Sequence, residues 1–71
     1  MTEKTTIRLI VLAHIRAVGP VGLSSIQHEV RTQYPHAYPG SHQIMDVLDD
    51  LRGRGVIRYY DGDDLAYEIS R

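Results

Sequence analysis

The sequence predicts an α+β fold: three helices followed by a C-terminal β-hairpin. Two patterns carry this reading. Three segments repeat apolar residues along a single helix face, two at the i, i+3, i+4 spacing and the middle one at i, i+4, i+8. The closing segment "VIRYYDGDDLAYEIS" alternates apolar and polar residues on both sides of a glycine-containing acidic cluster. A length of 71 residues allows one domain spanning 1–71. A core that small is only marginally stable alone, so oligomerisation is the expected source of further burial.

The first helix is expected over about 5–18. Ile7, Ile10, Val11, Ile15 and Val18 form its apolar stripe, Thr5 or Thr6 can cap its start, and Gly19–Pro20 stops it. Leu9, Leu12 and Ala13 point away from that stripe at about 100° per residue. A one-core domain leaves this second apolar face for a partner. His14 falls inside the main arc and reads as a core or interface histidine hydrogen-bonded to backbone, since no second histidine or acid lies one turn away.

The short "PVG" that follows can supply one strand. The second helix is expected over about 25–34, with Ile26, Val30 and Tyr34 on one face and His28, Arg31 and Thr32 off it. Ser24 and Gln27 have the spacing of a capping box. "PHAYPG" contains two prolines and reads as the turn between helices two and three. The third helix, about 41–54, has the narrowest stripe: Ile44, Val47, Leu48 and Leu51. Ser41 stands where an N-cap is needed and Gly55 where a C-cap is needed. Asp50 and Arg54 form an i, i+4 pair worth roughly 0.2–0.5 kcal/mol. "RGRG" occurs once, at this helix end, and reads as a stop signal in preference to an RNA-binding repeat.

The hairpin is expected over about 56–70. Facing residues of an antiparallel pair share one sheet face. The apolar set Ile57, Tyr59, Leu65, Tyr67 and Ile69 should therefore face the core, with Arg58, Tyr60, Ala66 and Glu68 outward. That choice requires an odd number of loop residues centred near Gly62 or Asp63.

Composition excludes several functions. With no cysteine, disulfides and cysteine–zinc sites are ruled out. No glycine-rich phosphate loop or nucleophile elbow occurs, so no enzyme, catalytic residue or cofactor is predicted. Asp61, Asp63 and Asp64 lack the twelve-residue spacing of a calcium loop, and His28, His36 and His42 lack the spacing of a helical zinc pair, so no metal is predicted either. No apolar run is long enough for a bilayer and no secretory signal pattern is present, which gives a cytoplasmic expectation (host-cell cytoplasm for a viral protein) with no membrane partner. The net charge of -1 argues against nucleic acid, whose phosphates favour basic domains.

Helix, short strand, helix, turn, helix, hairpin is the order of a winged helix-turn-helix domain. "IMDVLDDLRGRGVIRYY" followed by "AYEIS" resembles the L-x-x-L-x-x-x-G-hydrophobic-hydrophobic stretch of winged-helix transcriptional regulators, including PadR-like and MarR-like proteins. Leu48, Leu51, Gly55, Val56 and Ile57 occupy the matching positions, and the resemblance covers nearly the whole chain. It implies a sequence-specific regulator of transcription that binds double-stranded DNA by laying the third helix in the major groove. Its contacts would come from Ser41, His42, Gln43, Met45 and Asp46. Arg31, Arg52, Arg54 and Arg58, with Lys4, are candidates for phosphate. Glutamine suits paired hydrogen bonds to adenine, and the helix start adds N–H donors.

A homodimer is expected, joined through Leu9, Leu12, Ala13 and Arg16 of the first helix and setting two third helices on successive major-groove turns. Two departures from the family pattern stand out: acids at Asp46, Asp49 and Asp50 on the third helix, and an acidic wing tip. They support an alternative, a winged-helix protein-interaction module that does not bind DNA and docks a protein through the acidic wing.

Overall fold

The computed structural model describes residues 3–35 and 40–70; within the second stretch, the side chains of Asp63 and Asp64 lie outside the description. Among the described residues the order is α1 (Glu3–Val18), β1 (Val21–Gly22), α2 (Leu23–Gln33), α3 (Ser41–Gly53), β2 (Ile57–Tyr60) and β3 (Asp63–Ile69). The strands form one antiparallel sheet in the order β1-β3-β2, so the two-residue "VG" strand joins the hairpin along the outer edge of β3. This is an α+β fold with a winged-helix-like layout.

The core follows the helical stripes. Ile7, Ile10, Val11 and Ile15 of α1 meet Ile26 and Val30 of α2 and Ile44, Val47, Leu48 and Leu51 of α3, with Val21, Ile57 and Tyr67 closing the cluster from the sheet. Each such side chain contributes about 1.5–3 kcal/mol by leaving water. Val18 does not join them, being 61% exposed, because the chain leaves the helix at Gly19 one residue later. Leu12 is also displaced from expectation: it is half-buried against the core, which leaves Leu9, at 52%, as the exposed large apolar side chain of the outer face of α1.

The helix starts differ from those expected. Thr5 and Thr6 lie inside α1, which already includes Glu3. The Ser24–Gln27 box does not form. Strand β1 runs directly into α2, so Gly22 takes the N-cap position in extended conformation and Ser24 falls in the first turn. At α3, Gly40 is the N-cap and Ser41 the first helical residue. The turn read from "PHAYPG" falls largely on 36–39, outside the described residues. The helix stops are as expected. Gly19 adopts φ 94° and its N–H donates to the Ile15 carbonyl. Gly55, at φ 76°, closes a Schellman motif: its N–H donates to Arg52 O, and Val56 N–H reaches back to Leu51 O at 2.9 Å.

In the hairpin, Ile57 faces Ile69, Arg58 faces Glu68 and Tyr59 faces Tyr67. Ile57 and Tyr67 are buried and Arg58 and Tyr60 exposed, as the alternation requires. Leu65 breaks the pattern, standing 74% exposed instead of in the core. The cause is the turn. Asp61 and Gly62 have φ of 50° and 79°, the doubly positive pair of a type I′ turn, which connects Tyr60 directly to Asp63. A two-residue turn has even parity, while the Tyr59–Tyr67 pairing needs an odd count. A bulge between Tyr59 and Tyr60 absorbs the difference, and Leu65 lies in the strand segment that it displaces.

Candidate nucleic-acid interface

The proposed reading helix is anchored by its apolar seam and flanked by polar contacts on both sides. Taking Ile44, Val47, Leu48 and Leu51 as the inward face, a rotation of about 100° per residue puts Gln43 and Asp50 on the flank toward α1. Ser41 and Arg52 fall on the other flank, and His42, Asp46 and Asp49 outward. His42, Asp46 and Asp49 are exposed and Met45 is half-buried.

Gln43 is engaged within the chain. Its Oε1 accepts the Gly40 N–H at 2.8 Å and its Nε2 donates to Glu3 Oε1 at 2.8 Å. Glycine has no side chain, so this is half of a capping box, with the glutamine satisfying one free N–H at the helix start. A carboxamide so occupied does not present its paired donor and acceptor to an adenine. Ser41 is likewise occupied: its Oγ accepts from Arg31 Nη2 at 3.1 Å, which ties α2 to the start of α3.

Three of the candidate phosphate contacts, Arg52, Arg54 and Arg58, are paired with acids. Arg52 sits 3.6 Å from Asp49 and stacks over the Tyr59 ring at 4.5 Å, and that ring in turn lies 5.5 Å from Tyr67. Arg54 approaches Asp50 at 3.1 Å, the expected i, i+4 pair. Arg58 bridges the two hairpin strands to Glu68 at 2.8 Å. Arg8 of α1 also reaches Asp50, at 3.4 Å, so one carboxylate serves two guanidiniums; Arg8 Nε is buried with no hydrogen-bond partner among the described residues. Each pair is partly exposed and contributes little to stability. Their effect on recognition is larger, because a cation already facing a carboxylate adds little net positive potential for phosphate.

The structure brings Arg31 and Ser41 together, with His42 next along α3 facing outward. Arg52 and Arg54 lie at the far end of α3, and Arg58 on the hairpin. The proposed dimer residues Leu9, Ala13 and Arg16 share one exposed strip of α1, with Leu12 at its buried margin. His14 Nε2 lies 3.1 Å from Ser25 Oγ, so its partner is a side chain of α2 and not the backbone. Sequence reasoning missed Glu3 and Arg8, which touch α3 from α1. No local spacing signals a contact between residues so far apart in the chain.

Comparison with family models, curated proteins and solved structures finds no match to this chain. No described helix is long and apolar enough to cross a membrane.

Proposed function

We propose that this chain is a sequence-specific, double-stranded DNA-binding regulator that lays the start of α3 in the major groove and keeps its wing clear of the phosphates. One observation carries the reading. Helix α3 buries its apolar seam wholly against the core while His42 and Asp46 of its first turns stand exposed, and Arg31 of α2 bonds Ser41 at the start of the same helix. The free N–H groups of the helix start add donors for a phosphate there. Base contacts fall to His42, Met45 and Asp46, since Gln43 is otherwise engaged.

Charge pairing makes the binding modest in its salt dependence. With Arg52, Arg54 and Arg58 each facing a carboxylate, roughly two to four phosphates are neutralised per chain, giving a log–log salt slope of about −2 to −4. Titration of labelled duplex DNA at several salt concentrations tests this. Sequence preference with such a slope supports the reading, and no binding even at low salt sinks it.

Pairing of chains is part of the same proposal. A sixteen-residue helix such as α1 is about 24 Å long and offers one face about 10 Å wide. Contact through α1 alone would thus cover on the order of 250 Å² per chain, against roughly 800 Å² in a stable specific interface. The dimer built around Leu9 and Ala13 is accordingly weak in solution and assembles on palindromic DNA. Sedimentation with and without a duplex distinguishes this from a preformed dimer.

A second reading, protein docking, is favoured by the paired arginines and by exposed Tyr60 and Leu65 near an acidic turn. Its signature is the absence of DNA binding at low salt.

A further inference from the structure

We infer that Glu3 is a positioning residue for α3: it fixes which end of the Gln43 carboxamide faces the helix start. The inference rests on the DNA-binding reading only for its consequence, not for its geometry.

A carboxamide has an acceptor end and a donor end of almost the same shape. The Gly40 N–H is a donor and is satisfied only by the oxygen. Gly40 has no side chain to complete a capping box, so at the start of α3 its N–H is the single group that selects this orientation. Glu3 supplies a second constraint, at the other end of the carboxamide. An ionised carboxylate only accepts hydrogen bonds, so it demands the NH₂ end of Gln43 and leaves Oε1 for Gly40. The two 2.8 Å contacts are therefore coupled, the second depending on the first. In the reversed orientation, NH₂ would face the Gly40 N–H and oxygen would face the carboxylate, and both contacts become repulsive.

The contact also has leverage on the pose of α3. Glu3 meets Gln43 and Arg8 meets Asp50, so contacts advance in the same direction along both helices and lie on the same flank of α3. Two such points beside a buried seam fix rotation about the helix axis, which apolar contacts alone define loosely. Rotation of α3 decides where His42 and Asp46 point. Gly40 precedes the first turn of α3, so the end of the helix that carries those side chains is the end that Glu3 holds.

The test compares Glu3→Ala with Glu3→Gln in the full chain. Both remove the charge, so any change in long-range repulsion from DNA is common to the two. Only Glu3→Gln keeps an acceptor for Gln43 Nε2; its own NH₂ could pair with a reversed Gln43, but that orientation would leave the Gly40 N–H facing a donor. Amide exchange at Gly40 is expected to quicken about five- to tenfold in Glu3→Ala, and to stay within about twofold of the parent in Glu3→Gln. On duplex DNA, Glu3→Ala should bind several-fold more weakly than Glu3→Gln while their melting temperatures agree.

Equal Gly40 exchange in the two variants overturns the inference. So does equal DNA affinity alongside unequal exchange, because Glu3 would then cap the helix without positioning it for a ligand. If the parent chain binds no duplex at any salt, the functional reading fails, and Gly40 exchange alone decides the role of Glu3.

Discussion

At the base of the hairpin Ile57 faces Ile69 and Tyr59 faces Tyr67 in unbroken antiparallel register, whereas at the tip Tyr60 faces Asp63 and the register has slipped. The base is covered by helices, and a one-residue slip there would turn Ile57 and Tyr67 out of the core. At the tip the described residues Tyr60, Asp61, Gly62 and Leu65 are exposed, so its geometry is left to the turn. Asp61 and Gly62 impose a two-residue connection, and the strand accommodates it by a bulge that exposes Leu65. Burial thus fixes register where it is available, and backbone conformational preference fixes it elsewhere.

Ile57→Ala, at the base, should have the largest effect. Its side chain is 1% exposed, and truncating it costs about 2–5 kcal/mol, comparable to the whole stability of a domain this small. Circular dichroism should show loss of the cooperative thermal transition near room temperature. Survival of a sharp transition close to the parent's would mean that the base is not held by burial.

At the tip, Gly62→Ala should cost about 1–2 kcal/mol through backbone strain alone. The φ of 79° disfavours an L side chain, although an added Cβ would meet nothing within 4 Å. A urea titration checks this by the midpoint at constant slope. No change would show that the tip does not adopt the doubly positive turn.

Arg52→Met retains an apolar stem over Tyr59 but removes the cation. The expected loss is roughly 0.5–1 kcal/mol, measured as a small fall in the same midpoint. A larger loss would place Arg52 among the groups that hold the base together. Leu65→Ser should be smallest, within about 0.5 kcal/mol, since that side chain is 74% exposed. The contrast with Ile57→Ala is the decisive one: both remove an aliphatic side chain from the same hairpin, and only one is expected to unfold it.

Much of the fold was legible in the sequence. Ile44, Val47, Leu48 and Leu51 are the buried face of α3, Gly19 and Gly55 end their helices, and Tyr59 and Tyr67 share one sheet face as alternation requires, although alternation left their register open. Helix starts were less legible. Ser24 and Ser41 have good cap chemistry, yet Gly22 and Gly40 hold the cap positions because the preceding chain enters already extended there. Of the candidate site, the outward placement of His42 and Asp46 was readable from helical angle. The engagement of Gln43 by Glu3 was not.

The sequence by itself determined the apolar faces, the helix stops and the presence of a glycine-containing hairpin turn, because these depend on side-chain spacing and on local φ preferences; the turn's two-residue length differs from the odd-numbered loop that alternation implied. Tertiary structure alone decided the third strand's place, the exposure of Leu65, the Arg8–Asp50 bridge and the Glu3–Gln43 contact. Those features join residues distant in the chain, and their partners are set by how the packed helices and sheet bring polar edges together.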